Sequence, residues 1–128
     1  MSIVNYKPEV LQAAVYYWQR RFRMLDWDIA VIFVPRETFH DGDTVADSNT
    51  DSRHRQAVIR VTERLELDEG FDLDYRNAIA HEFVHVLLWD VPRPGKDGTP
   101  QWLFEQTVET IGRGIAALTP WDELSEVS

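Results

Sequence analysis

The chain has 128 residues, of which 44% are hydrophobic, and we predict one folded domain over residues 1–128 because two smaller parts would lack proper cores. Its formal charge of −9 argues against a nucleic acid partner, and the lack of cysteine excludes disulfides, thiolate ligands and thiol nucleophiles. The sequence shows no basic, apolar leader and no apolar run long enough for a membrane span, so we expect a cytoplasmic protein without membrane attachment.

Three segments of the N-terminal half differ in their apolar pattern. Apolar residues recur at three- and four-residue steps after Pro8, which predicts an amphipathic helix over residues 8–25. A β-rich run over residues 27–34 indicates a strand that is buried on both faces or nearly so. Residues 36–55 are polar and lack periodicity, which indicates a long loop.

The next two segments are a strand and a helix separated by a charged loop. Residues 56–62 alternate between apolar and polar side chains, which predicts a strand at the edge of a sheet. Residues 63–73 are charged and contain Gly70, which indicates a loop. Residues from Tyr75 to Trp89 then favour a helix.

The C-terminal segment begins with a capping signal. Thr99 suits the N-cap and Pro100 the first position of a last helix, which is predicted to end near Leu118 because Pro120 follows. The short acidic tail from Trp121 onward is expected to fray.

The sequence His-Glu-Phe-Val-His at residues 81–85 lies inside a predicted helix. A four-residue step advances a helix by about one turn, so the imidazoles of His81 and His85 leave the same side and can bind one metal ion. Glu82 is turned off that line, toward a water molecule that it could activate. The pattern favours a zinc site for hydrolysis over an amphipathic helix with a merely solvated polar face.

A third ligand must come from another element, and the candidates are His40, His54, Glu105 and Glu109. The two histidines lie in the polar loop, where surface histidines are usual. Glu105 and Glu109 lie one turn apart on the last helix, and the small Gly112 on the same side would allow a close approach to the metal helix. Glu105 is the favoured ligand, ahead of Glu109 or His54, and Glu109 would then accept a hydrogen bond from a ligand imidazole.

Regularly spaced apolar residues indicate the core. On the last helix they form a stripe separate from the two glutamates, consisting of Phe104, Val108, Ile111 and Ile115. Elsewhere the residues expected in the core include Trp18, Trp27, Phe83 and Leu87.

These motifs resemble those of a known enzyme family. HEFVH is the zincin signature, and EQTVE at residues 105–109 resembles the glutamate-zincin helix of thermolysin-like enzymes, including the interval of 20 residues from His85 to Glu105. Over roughly residues 10–117 the chain is also similar to small zincin-type metallopeptidase domains found in bacterial and phage genomes, although only the two motif helices are specific.

The resemblance implies a role for each motif residue. His81, His85 and Glu105 would be zinc ligands, Glu82 the general base and Glu109 the acid that contacts a ligand imidazole. The chain departs from the larger members of the family, since it is far shorter than thermolysin and has no obvious downstream Tyr or His motif to steady an oxyanion.

We therefore expect an α+β fold in which a small twisted sheet packs against the first helix, the HExxH helix and a last helix that delivers Glu105. The strand at residues 56–62 would border the cleft, where an extended peptide could add by backbone hydrogen bonds. The favoured function is a zinc metallopeptidase that acts on a peptide or protein substrate. The main alternative is a metal-stabilised binding or accessory module without turnover, and the oligomeric state stays open.

Two further hydrolase classes are disfavoured. A zinc peptidase acting on DNA-bound proteins would need a basic surface, which the charge of −9 argues against. A small metal-dependent ribonuclease with three histidines would need a third histidine soon after His85, and residues 86–94 contain none.

Overall fold

The computed structural model describes residues 8–39, 44–62, 75–91 and 100–127. The helices in this part are α1 (Pro8–Arg21), α2 (Tyr75–Leu87), α3 (Gln101–Leu118) and α4 (Trp121–Val127), and the strands are β1 (Asp28–Val34), β2 (Ala46–Asp51) and β3 (Gln56–Thr62). A short 3-10 helix spans Arg36–Thr38. The fold is therefore α+β, as predicted. None of the helices in the described ranges is long and apolar enough to cross a bilayer.

The three strands form one sheet in the order β1-β3-β2. β3 runs parallel to β1 and antiparallel to β2, so it is the central strand. The prediction of an edge strand at residues 56–62 is thus wrong. Ala57, Ile59 and Val61 face the core, while polar Arg60 lies on the opposite face of the sheet. Alternating apolar and polar residues indicate which face of the sheet is buried. They do not indicate whether the strand has one or two neighbours in the sheet.

Strand β2 lies within residues 36–55, which the sequence indicated as a loop. Its residues are mostly Asp, Ser, Asn and Thr, and Asp and Asn are depleted in strands. The strand forms because a tight turn with Arg55 at a φ of 54° returns the chain into antiparallel pairing. Asp47 and Arg60 are paired in this register, and the Arg60 Nε lies 2.8 Å from the Asp47 Oδ1. Tertiary pairing here overrides local propensity.

Strand β1 is buried on one face only, which corrects the expectation of burial on both. Ile29 and Val31 are buried, but Ile32 is 42% exposed. The amide of Gln12 on α1 donates to the Ile29 carbonyl at 2.8 Å and accepts from the Val31 amide at 2.9 Å. The Asp28 amide donates toward β3, and the backbone groups of successive strand residues point to opposite sides. The groups of Ile29 and Val31 that bond to Gln12 therefore lie on the edge of β1 that faces away from β3.

Helix α1 ends at Arg21, four residues before the predicted end. The Met24 amide donates to the Gln19 carbonyl at 2.6 Å, and Arg23 has a φ of 58°. This backbone path is a Schellman-type end, in which one residue in the left-handed region stops the helix. The apolar periodicity continued to Leu25, but that side chain is 56% exposed.

The helices α1 and α2 cover one face of the sheet and form the core with it. Trp18 and Phe83 are buried there, as predicted, whereas Trp27 and Leu87 are partly buried at its margin. The largest fully buried side chains include Leu11, Val15, Ile59, Ile79 and Val86.

Helix α3 packs against α2 along a narrow stripe. Val108, Gly112 and Ala116 are its buried residues. The predicted apolar stripe was therefore only partly right, because Phe104 and Ile115 are half-buried and Ile111 is 37% exposed.

The bounds of α2 and α3 differ slightly from the predicted ones. Helix α2 ends at Leu87, two residues before the predicted Trp89, and passes into a turn. Pro100 is the N-cap of α3, with φ −66° and ψ 142°, so the helix begins at Gln101 and not at the proline. Thr99 lies outside the described residues.

The C-terminal segment from Trp121 forms helix α4 and does not fray. Trp121 is buried, and its indole Nε1 donates to the Ala116 carbonyl at 2.8 Å. The rings of Trp121 and Trp18 pack edge to face, with their centroids 6.0 Å apart. The Trp18 Nε1 also donates to the Oγ1 of Thr119, which precedes α4, at 2.8 Å. One buried aromatic residue therefore holds the segment on the core.

We expect Trp121→Ala to lower the free energy of unfolding by about 3–5 kcal/mol, because it removes a buried aromatic ring and its hydrogen bond. Urea denaturation followed by circular dichroism measures this loss. Trp102 is 65% exposed, so Trp102→Ala is the matched control and should change stability by less than about 0.5 kcal/mol. Equal stability of the Trp121 variant and the wild type would contradict the assignment of α4 to the core.

Candidate metal centre

Helix α2 divides its side chains between the core and a polar site. Ala80, Phe83 and Val84 are buried, whereas His81, Glu82 and His85 are half-buried. The i, i+4 spacing places the two imidazoles on one side of the helix, with ring centroids 5.0 Å apart. The apolar residues of α2 thus anchor it, and its polar triplet lines the site.

His81, His85 and Glu105 form one group with metal-ligating geometry. One donor atom from each lies within 4.8 Å of the others, and no other group of three or more His, Cys, Asp or Glu residues in the described part of the chain meets this criterion. The Glu105 Oε1 lies 3.8 Å from the His81 Nε2 and 3.4 Å from the His85 Nε2. The other carboxylate oxygen accepts from the Gln101 side chain at 3.1 Å. The site therefore presents two imidazole nitrogens and one carboxylate oxygen to a common space.

Glu109 lies behind His81, on the side away from Glu105. Its Oε1 is 2.9 Å from the His81 Nδ1, and its Oε2 accepts from the Arg113 Nε at 2.8 Å. The Arg113 guanidinium, together with the contact to His81, holds the pKa of the Glu109 carboxyl below its ordinary value. Glu109 is therefore an ionised acceptor for the ring nitrogen that faces away from the common space.

Glu82 lies beside strand β2, where Ser48 bonds to its carboxyl group. Burial raises the pKa of Glu82 to about 7, and the neighbouring carboxylates of Asp47 and Glu105 add to the rise. A hydrogen bond from Ser48 on β2 and the charge of His81 act in the opposite direction. The carboxyl group is consequently poised to exchange a proton near neutral pH.

Gly112 sets the distance between α2 and α3. A β-carbon at this position would lie 3.1 Å from both the Cα and the backbone nitrogen of His81, closer than ordinary contact to backbone atoms. A glycine therefore lets α3 approach α2 at this distance, whereas a β-carbon would require the His81 backbone to move by a few tenths of an ångström.

The remaining candidates from the sequence are not in this group. His54 lies in the turn between β2 and β3, where its Nδ1 is 2.8 Å from the Asp51 Oδ2 and its side chain is 71% exposed. His40 lies outside the described residues. Among the four candidates, the structure brings Glu105 to the two histidines and Glu109 to the far side of one of them.

Three residues that act on the site were not anticipated from the sequence. Ser48 and Asp47 belong to a strand that the sequence indicated as a loop, so nothing connected them with Glu82. The contact of Arg113 with Glu109 could have been predicted from the sequence. Arg113 follows Glu109 by four residues on a helix, and an acidic residue followed by a basic one at that spacing is favourable.

The donor set itself fits a metal ion. Two imidazoles and one carboxylate, brought from two helices that pack together, can hold a divalent cation. Comparison with protein families, with curated proteins and with solved structures returned no match to this chain.

We expect Gly112→Ala to weaken metal binding and to lower the free energy of unfolding by about 1–3 kcal/mol, because the new methyl group would push α3 away from the His81 backbone. Titration with zinc and urea denaturation measure the two effects. Gly114 on the same helix is the control, since a β-carbon there meets nothing within 4 Å. Gly114→Ala should raise stability by about 0.5–1 kcal/mol through helix propensity and leave metal binding unchanged.

We expect the metal-free protein to lose stability as pH rises from about 4.5 to about 7, because the folded state holds a proton on Glu82 that the unfolded chain releases. At about 1.4 kcal/mol per pKa unit, the loss is roughly 3 kcal/mol. Urea denaturation with a chelator present, repeated at several pH values, measures it.

Glu82→Gln provides the comparison for this loss. An amide does not titrate, so the variant should not lose this stability. Its free energy of unfolding, relative to that of the wild type, should therefore rise with pH through the same window. The substitution Glu37→Gln, at an exposed carboxyl group, should follow the wild-type profile. A constant stability difference between Glu82→Gln and the wild type from pH 4.5 to 8 would contradict the raised pKa.

Proposed function

We propose that this protein is a zinc-dependent metallopeptidase of the zincin type. The observation that carries the proposal is the approach of the His81 Nε2 and the His85 Nε2 to one carboxylate oxygen of Glu105, at 3.8 and 3.4 Å. Two imidazoles and one carboxylate, without cysteine, are a donor set of hydrolytic zinc sites, which keep a fourth position for water or substrate. These three residues would hold the ion.

Glu82 would be the proton carrier of the reaction. When bound, zinc would supply Lewis acidity, which lowers the pKa of water toward about 7 and polarises a carbonyl group. Glu82 follows His81 by one residue, so its carboxyl group leaves α2 beside the imidazoles and not between them. It accepts the proton from the attacking water and donates it to the leaving amine. A pKa of about 7 before metal binding supports both directions of transfer near neutral pH.

Strand β2 is the element that supports an extended peptide as substrate. Ser48 on β2 contacts Glu82, so this strand borders the candidate site. No strand in the described ranges pairs with the edge of β2 that faces away from β3. A peptide could add there by backbone hydrogen bonds, which moves the expected docking strand from residues 56–62 to Ala46–Asp51.

One observation favours the alternative of a metal-stabilised binding module without turnover. Peptidases of this chemistry use a further donor to stabilise the developing oxyanion. The tyrosines and the remaining histidine in the described part of the chain have partners elsewhere. Tyr16 and Tyr17 each contact an arginine. Tyr75 donates to a backbone carbonyl, and His54 contacts an aspartate.

We expect the purified protein to contain about one zinc ion per chain, as a single donor group of this kind implies. Glu82→Gln should keep the zinc and lower kcat for peptide cleavage by about 10²–10⁴-fold, since it removes only proton transfer. His81→Ala should lose the zinc. Elemental analysis and mass spectrometry of a digested peptide mixture measure these outcomes.

The same variants separate the two functions. Zinc binding without cleavage by the wild type, across a diverse peptide mixture, would support the binding module and contradict the peptidase. Wild-type protein that binds no zinc, or cleavage that is unchanged in Glu82→Gln, would contradict the proposed mechanism. His54→Ala removes an exposed histidine outside the group and should leave zinc content and cleavage unchanged.

A further inference from the structure

We propose that Arg113 is a positioning residue of the metal centre, which fixes the orientation and the tautomer of His81 by holding Glu109. The inference deepens the proposed function and rests on it, since it takes His81 to be a metal ligand. It assigns a role to a side chain that touches neither the donor group nor the space that the donors share.

The contacts form a chain from the protein surface to the imidazole. The Arg113 Nε donates to the Glu109 Oε2 at 2.8 Å, and the Glu109 Oε1 lies 2.9 Å from the His81 Nδ1. A neutral imidazole that faces a carboxylate with one nitrogen carries its proton there. The Nδ1–H tautomer leaves a lone pair on the Nε2, which is the nitrogen that faces Glu105.

Glu109 needs a second partner to keep this arrangement. Its side chain is 40% exposed, so a contact to His81 alone would leave the carboxylate free to turn into water. Arg113 binds the other oxygen and thereby fixes the plane of the carboxylate. Guanidinium suits this task because its donors have fixed directions, which the flexible ammonium group of lysine lacks.

Folding stability accounts for little of the placement of Arg113. Its side chain is 69% exposed, and an exposed ion pair contributes little to the stability of a fold. It is the sole basic residue of α3, and it lies beside the one carboxylate that contacts a ligand imidazole from behind. Its placement is explained by what it does to Glu109.

The first experiment observes the tautomer in metal-free protein. Imidazole ¹⁵N shifts of His81 are recorded at a pH high enough to leave both histidines of the site neutral. Arg113→Ala should lower the fraction of the Nδ1–H form, and Arg113→Lys should restore part of it. An unchanged tautomer in Arg113→Ala would overturn the proposal, whether or not the protein binds zinc.

The second experiment measures zinc affinity by competition with a chelator. Loss of a direct partner of a ligand imidazole costs about 10–100-fold, so we expect about 10–100-fold for Glu109→Ala and a smaller loss, about 3–10-fold, for Arg113→Ala. Arg113→Ala should have no further effect in the Glu109→Ala background, because it acts through that carboxylate. Additive losses would overturn the proposal.

The control removes a positive charge elsewhere. Arg20 on α1 stacks on Tyr16, with 5.7 Å from its guanidinium carbon to the ring centroid, and is separate from the site. Arg20→Ala lowers the net charge by the same amount and should leave zinc affinity and the His81 tautomer unchanged. An equal loss of affinity in this variant would show a general charge effect and overturn the positioning role. Failure of the wild type to bind zinc would instead contradict the proposed function.

Discussion

The close contact of helix α3 with the backbone of helix α2 is the constraint on which the candidate site depends. The two helices meet where Gly112 lies against the backbone of His81, and Val108 and Ala116 are buried on either side of it. One helical turn before this glycine the side chain of Glu109 reaches an imidazole, and one turn earlier Glu105 does the same. Apolar packing and the absence of one β-carbon thus fix the position of both carboxylates.

The site concentrates acidic groups in a way that folding alone does not explain. Glu82 and Glu105 repel each other electrostatically, and burial adds to the cost of ionising Glu82. Of the carboxylates of the site, Glu109 has a guanidinium partner in Arg113. A divalent cation between the donors would offset the repulsion and favour the folded state by mass action. The arrangement is therefore better suited to binding an ion than to stabilising a metal-free fold.

The sequence identified the parts of the site that depend on helical periodicity. The spacing of His81 and His85, and that of Glu105 and Glu109, required only a regular helix, and small Gly112 pointed to the contact face. The α+β class also followed from alternating and helical patterns in the chain.

What the sequence could not predict depends on pairing between distant segments. Strand β2 has polar residues of weak strand propensity, and its conformation comes from its hydrogen bonds to β3. The surroundings of Glu82 were hidden for the same reason, since Ser48 bonds to it from that strand and the charge of Asp47 acts on it from there. Likewise, the burial of Trp121 depends on Trp18, more than a hundred residues earlier, so local composition alone indicated a fraying tail.

The two edges of the sheet are not equivalent, because Gln12 already bonds to the Ile29 carbonyl and the Val31 amide on the outer side of β1. Exposed strand edges are where separate molecules join into larger aggregates. A filament built from such sheets needs two receptive edges on every molecule, whereas molecules with one receptive edge can join only in pairs. Gln12 thus occupies two backbone groups at one edge of this small sheet, which disfavours open-ended pairing of sheets, while no strand in the described ranges pairs with the outer edge of β2.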